Sequence, residues 1–243
     1  MPGTYSQPVI TRRKALGLIA VTAGGGSFLP AHAFAQEQSP FSGLELVERG
    51  AGVCSLTPET TEGPFYFDPA LERRDIRDGH EGVNLTVRLQ VVDAACKPVQ
   101  GARVDIWHCD AQGLYSGYPS QGDGRDIDTS GEKFLRGVQR ADAKGIVSFR
   151  TIYPGWYRGR TTHIHFKVFP GGNSAATGQI FFPDDASERI YAGSPAYRRR
   201  AGNRDTFNNQ DRIARRAGAS SRAAVRRGGN AYEALMVIAV QRA

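Results

Sequence analysis

Apolar and polar side chains alternate most clearly from Val83 to Val92, where Val83, Leu85, Val87, Leu89 and Val91 are separated by Asn84, Thr86, Arg88 and Gln90. A period of two puts those apolar residues on one side of an extended chain, so the pattern predicts a half-buried strand. Asp93 to Gly101 reads as a connecting loop, and Ala102 to Trp107 alternates again as a second strand. Gly145 to Ile152 predicts a third, entered through the turn Asp142-Ala143-Lys144-Gly145. Thr162 to Phe169, Gly178 to Phe182 and Ala234 to Val240 predict three more, while residues 185–228 hold loops and any short helices. No internal repeat and no long helical periodicity intervenes. Short strands joined by glycine-rich turns predict a mainly β chain, a β-sandwich with loop-rich extensions.

Length and composition allow this architecture without adding to it. A chain of 243 residues with 40% hydrophobic and 23% charged positions is ordinary for a globular protein with one good core. The first 35 residues are set apart by their own pattern. Thr11-Arg12-Arg13-Lys14 opens a twin-arginine motif, a weakly apolar run to Leu29 follows, and Ala33-Phe34-Ala35 forms a small-x-small cleavage site. The run is too short and too glycine-rich for a membrane span. The expectation is therefore a twin-arginine signal over 1–35, export to the periplasm or beyond, and a single domain over 36–243. Ser39 to Gly50 reads as an arm of that domain.

Charge and cysteine content refine the picture. The signal segment holds Arg12, Arg13 and Lys14 and no acid, so its removal lowers the formal charge from +7 to +4. Arginines crowd the last quarter, from Arg198-Arg199-Arg200 to Arg226-Arg227. The stretch carries no nucleic-acid-binding module, so a solvated basic face is expected and no nucleic-acid partner. Three cysteines, Cys54, Cys96 and Cys109, predict one disulfide and one leftover thiol in an oxidising compartment, with the pairing open. The absence of CxxC argues against a cysteine-based zinc site.

Candidate chemistry centres on Thr161-Thr162-His163-Ile164-His165-Phe166. On a strand, His163 and His165 project to one side and Ile164 and Phe166 to the other, so two imidazoles can meet one metal ion. Tyr157 lies six residues upstream of His163. On its own, His-x-His is a weak pattern, and two histidines on a solvent-facing strand are its plainer reading.

Four stretches raise its weight together. They are Leu56-Thr57-Pro58-Glu59-Thr60-Thr61-Glu62-Gly63-Pro64-Phe65-Tyr66, Asp105-Ile106-Trp107-His108-Cys109-Asp110-Ala111-Gln112-Gly113-Leu114-Tyr115-Ser116, Phe149-Arg150-Thr151-Ile152-Tyr153-Pro154-Gly155-Trp156-Tyr157, and Arg160 to Phe166. With them the chain resembles the intradiol ring-cleavage dioxygenases, non-haem iron(III) enzymes of the protocatechuate 3,4-dioxygenase type, from about Leu56 to Pro183. The resemblance implies an Fe(III) cofactor held by Tyr115, Tyr157, His163 and His165, a small catechol substrate, and dioxygen. It assigns Arg160 and Gln179 to the substrate side, counts Tyr157 among the catalytic residues as well as the ligands, and implies that one tyrosine yields when substrate binds. Phenolates are hard, strongly donating ligands that favour iron(III) over iron(II).

Plainer readings stand beside these. Tyr118 is the rival of Tyr115, whose spacing from Trp107 fits the family better. Trp107 reads as a core or pocket wall, His108 matches no family position, and Tyr66 and Tyr153 read as packing aromatics. The link from Tyr157 to His163 is shorter than in the protocatechuate enzymes. A helical N-terminal extension of the catechol 1,2-dioxygenase kind is not seen, so their lipid-binding dimer is not expected. The oligomeric state stays open. Two other functions compete: a transthyretin-like sandwich that binds metal or phenols without turnover, and a zinc hydrolase, for which a third conventional ligand is missing.

Overall fold

The computed structural model describes residues 54–171, 174–200 and 202–241. The expected signal segment and the Ser39–Gly50 arm lie outside them. Eight strands follow in chain order: β1 (Asn84–Asp93), β2 (Arg103–Trp107), β3 (Arg136–Arg140), β4 (Ile146–Ile152), β5 (His163–Gly171), β6 (Ser174–Phe181), β7 (Ala224–Gly228) and β8 (Ala231–Val240). Helices α1 (Asp184–Gly193) and α2 (Arg212–Ala217) lie between β6 and β7. The strands form two four-stranded sheets, ordered β4-β1-β8-β7 and β3-β2-β5-β6. This is the expected β-sandwich. Every pairing is antiparallel except β1 with β8, which run parallel.

The alternating segments became strands for the reason their pattern gives. Leu85, Val87, Leu89 and Val91 of β1, Val147 and Phe149 of β4, and Ala234, Met236 and Ile238 of β8 share one buried cluster with Val104, Ile106, Ile164, Phe166, Val168 and Ile180 of the other sheet. Each fully buried aliphatic side chain contributes about 1.5–3 kcal/mol, so this shared core is the main force joining the sheets.

Two strands were not expected from the pattern, β3 (RGVQR) and β7 (AVRRG). Each holds too few apolar residues for an alternation to be visible. Both are edge strands recruited by backbone pairing to β2 and β8. Strand β6 also begins before its apolar part, because its early backbone pairs with Lys167, Val168 and Gly171. A disulfide joins Cys54 to Cys96, tying the chain before β1 to the turn after it, and Cys109 is a buried free thiol. Among the described residues, no helix is long and apolar enough to cross a membrane.

The outer side of the β3-β2-β5-β6 sheet carries the polar residues of interest. Because Ile164 and Phe166 enter the core, His163 and His165 point away from it. Cross-strand register places Trp107 of β2 and Gln179 of β6 on either side of His165. The segment around Thr60–Tyr66 covers this side, fastened by the Thr60 amide to the Thr177 carbonyl at 3.0 Å and by the Lys167–Glu62 ion pair.

Candidate active site

Two loops bring the tyrosines to the histidine strand. One leaves β2 and turns at Asp110, whose Oδ1 accepts hydrogen bonds from the amides of Gln112 (2.8 Å) and Leu114 (2.9 Å). The other is the Pro154-Gly155 segment after β4. They cross at two glycines. A Cβ at Gly113 would lie 2.5 Å from the Trp156 carbonyl oxygen, and one at Gly155 would lie 2.6 Å from that of Asp110. Only glycine permits this approach, and Gly113 also needs its positive φ of 88°. The crossing sets Tyr115 and Tyr157 side by side, ring centroids 5.8 Å apart.

All four ligand candidates converge. His163 Nε2 lies 3.3 Å from Tyr115 Oη, 3.2 Å from Tyr157 Oη and 3.2 Å from His165 Nε2. His163 Nδ1 is 2.7 Å from the Thr161 carbonyl, which can only accept, so Nδ1 carries the hydrogen and Nε2 presents its lone pair. Trp107 stacks nearly parallel on His165 with centroids 4.9 Å apart and fixes that ring.

The substrate-side candidates join the same cluster. Arg160 Nη1 donates to Tyr157 Oη at 3.2 Å, and its Nη2 donates to Gln179 Oε1 at 2.5 Å. Gln179 is fully buried and donates in turn to the Thr61 carbonyl at 3.0 Å. The guanidinium is anchored from behind by Asp211, which accepts from Arg160 Nε at 2.8 Å and from the Thr161 amide at 3.0 Å.

Burial dominates the electrostatics. It holds His163 and His165 well below the usual imidazole range, so both are neutral, and Arg160 adds to the effect. Burial likewise pushes Tyr115 and Tyr157 up, although Arg160 opposes it at both. Burial also disfavours the charge on Arg160, but Tyr157 and Asp211 outweigh that and raise its pKa. Two phenol oxygens and the neutral His165 nitrogen, each within 3.3 Å of the neutral His163 nitrogen, form a donor set that a cation satisfies. A bound cation reverses the cost of ionising the phenols. The backbone carbonyl behind His163 is the outer partner that metal-bound histidines generally have. The residues therefore fit a metal, and their hard oxygen and borderline nitrogen donors suit a first-row transition ion.

The rival and bystander residues sit elsewhere. Tyr118 turns away and donates to the Tyr66 carbonyl at 2.8 Å. His108 is enclosed between the Cys109 carbonyl (2.8 Å) and Thr151 Oγ1 (2.7 Å), a satisfied core histidine. Tyr153 bonds Ser187 within the core, and Tyr66 donates to Asp105 at 3.0 Å. Three contributors escaped the sequence reading. Asp211 anchors Arg160. Gln121 Oε1 accepts from the Tyr115 amide at 3.0 Å, and Thr129 Oγ1 donates to the Tyr115 carbonyl at 2.6 Å. An aspartate before a short helix is a readable capping signal at 211, but no local signal marks the long-range partners.

A cavity of about 370 Å³ opens on Tyr115 and Tyr157, with Phe65 as one wall, stacked on Tyr115 at 4.7 Å. That volume lies within the range of small-molecule sites.

Comparison with known proteins bears on this geometry. Residues 61–190 match the Dioxygenase_C family, described as dioxygenase. The chain is 28% identical over 156 residues to catechol 1,2-dioxygenase 1 of Acinetobacter lwoffii, covering 60% of this chain and 48% of that protein. It is 33% identical over 147 residues to the protocatechuate 3,4-dioxygenase beta chain of Burkholderia cepacia, covering 55% of this chain and 60% of that one. The chain spans about half the length of the curated relatives it matches. A solved structure, the intradiol ring-cleavage dioxygenase from Tetranychus urticae, is 35% identical, with a TM-score of 0.70, and covers 77% of this chain and 95% of its own. The family match across the site-bearing strands and the likeness to a solved relative over nearly its whole length place this chain among the intradiol ring-cleavage dioxygenases.

Proposed function

We propose that this chain is an exported iron(III) dioxygenase that opens catechol-type rings between the two hydroxyls, using dioxygen. The observation that carries the reading is the convergence of Tyr115, Tyr157, His163 and His165 beside a positioned arginine and a small cavity. Two phenolates balance most of the ferric charge and favour that oxidation state. When bound, iron(III) supplies Lewis acidity and a template that makes a coordinated catechol reactive toward dioxygen.

The chain's own groups do the rest. Tyr157 Oη, beside Arg160, is the phenolate placed to take up a proton that an incoming catechol gives up. Arg160, held by Asp211 and Gln179, keeps a fixed positive charge against the negative charge that gathers on the ring. Removing such a preorganised donor costs about 2–4 kcal/mol of barrier lowering. Phe65 and Trp107 wall the site and exclude water.

Export draws support from Arg12-Arg13 and from the Cys54–Cys96 disulfide, which suits an oxidising compartment. The catalytic reading is tested by oxygen uptake on the ferric protein with a panel of catechols and identification of the product. Ring opening between the hydroxyls is expected. A coloured protein that binds catechols without consuming oxygen replaces the reading with that of a binding protein.

A further inference from the structure

We infer that Arg136 is a positioning residue of the proposed metal site: its buried guanidinium clamps Ser116 and thereby sets the hydroxyl of Tyr115 against His163. The inference rests on the proposed iron chemistry and deepens it. Tyr115 lies in neither sheet. Both of its backbone groups are taken by side chains, the amide by Gln121 Oε1 at 3.0 Å and the carbonyl by Thr129 Oγ1 at 2.6 Å. The next residue is held by Arg136. Arg136 Nη2 donates to the Ser116 carbonyl at 2.7 Å and Arg136 Nε to Ser116 Oγ at 2.8 Å, and that hydroxyl donates on to the Phe134 carbonyl at 2.7 Å. A planar guanidinium holds two acceptors in one fixed arrangement, which an ammonium does not.

The other end of the clamp is fixed by the sheet. Arg136 opens β3 and pairs directly with Trp107 of β2, Trp107 pairs with His165 of β5, and His165 pairs with Gln179 of β6. Residues directly opposite one another share a face, so these four form one row across the outer side of the sheet. Arg136 thus ties the loop that carries one tyrosine to the row that carries a histidine. Packing alone does not account for an arginine here. The residue is 1% exposed, and among the described residues no carboxylate pairs with it and its Nη1 finds no hydrogen-bond partner. Burial pulls its pKa from 12.5 to about 10, which leaves it charged at neutral pH. The Phe67 ring, its centroid 4.2 Å from the guanidinium carbon, offsets part of that burial cost. A methionine would fill similar space with no charge to desolvate. What the arginine adds is the pair of charge-assisted bonds to Ser116.

The test uses the full chain, metal-free and loaded with ferric iron, in the variants R136M, R136K and S116A. R136M is expected to shift or weaken the visible tyrosinate-to-iron(III) band and to lower iron(III) affinity, measured by competition with nitrilotriacetate, by about 10–100-fold. R136K keeps the charge and loses the fork, and S116A keeps only the bond to the carbonyl, so both fall between R136M and the parent. In metal-free R136M the Tyr115 amide exchanges its hydrogen about tenfold faster, the effect of one lost charge-assisted hydrogen bond, while the amides of β5 are unchanged. A lower melting temperature with the band, the affinity and the exchange all at parent values means a structural role only and overturns the inference. Should R136M not fold, R136K and S116A decide: a parent-like band and affinity in both overturn it. Weakened iron(III) affinity in the variants, with no oxygen uptake on any catechol by the parent protein, leaves the clamp standing and removes the dioxygenase reading.

Discussion

Asp211 accepts a hydrogen bond from Arg160 Nε at 2.8 Å, and with its other oxygen it caps helix α2, receiving the amides of Ile213 (2.7 Å) and Ala214 (3.1 Å). One buried carboxylate thus joins the arginine of the candidate site to a short helix far along the chain. The Arg160 charge holds Asp211 below the usual carboxylate range despite its burial. The pair stays ionised, and the guanidinium cannot turn without breaking the cap.

Asp211→Asn keeps an oxygen for the cap but removes the charge behind Arg160. Turnover is expected to fall about 10–100-fold, mostly in kcat, as for other outer partners of a reactive site. Steady-state kinetics beside thermal unfolding check this. Unchanged kcat in a folded Asp211→Asn protein contradicts the positioning role.

The tyrosines separate by substitution. Tyr115→Phe and Tyr157→Phe each delete one phenol oxygen of the cluster and should weaken or shift the visible tyrosinate-to-iron(III) band of the loaded protein. Tyr118→Phe deletes only the hydrogen bond to the Tyr66 carbonyl and should cost about 1 kcal/mol of stability, with the colour kept. Absorption spectra of the three ferric variants decide. Bleaching in Tyr118→Phe alone reverses the assignment.

His108 links stability to pH. Burial pushes its pKa from 6.5 down to about 4. As pH falls through 6.5 the unfolded chain takes up a proton there, while the folded chain resists until about pH 4. Stability is therefore fully present above 6.5 and drops by about 3 kcal/mol across that window. Denaturant unfolding at a series of pH values should show a shallower slope between pH 6.5 and 4 in His108→Gln than in the parent, whatever its absolute stability.

The two cysteine states respond differently to reagents. The buried Cys109 thiol has its pKa pushed up by burial and should resist alkylation until the chain unfolds. The Cys54–Cys96 bridge spans a sequence separation of 42 and should contribute about 4 kcal/mol by constraining the unfolded chain. Mass spectrometry after native and denaturing alkylation, and unfolding with and without reductant, measure both. Rapid native labelling of Cys109 contradicts its enclosure.

Export is expected to depend on Arg12 and Arg13, the pair that the twin-arginine pathway reads. Replacing both with lysine should retain the protein in the cytoplasm, as cell fractionation will reveal. Undiminished secretion of the double variant removes the export reading.

Local pattern alone determined the strands whose apolar residues alternate, β1 most plainly, because a period of two is forced by the extended backbone wherever one side is buried. It also determined that His163 and His165 share a side, and that Pro154-Gly155-Trp156-Tyr157 and Gly113-Leu114-Tyr115 carry a family resemblance. Polar edge strands such as β3 stayed illegible, since backbone pairing to a neighbour formed them and side-chain alternation did not. Only tertiary structure decided between Tyr115 and Tyr118 as neighbours of the histidines. The spacing from Trp107 only favours Tyr115, whereas the crossing of two loops at Gly113 and Gly155 brings its hydroxyl to His163 and leaves that of Tyr118 at Tyr66. The pairing of Cys54 with Cys96, the anchoring of Arg160 by Asp211, and the hold of Arg136 on Ser116 are of the same kind. Each joins residues distant in the chain, and such contacts are set by how the sheets and loops pack, which no local pattern encodes.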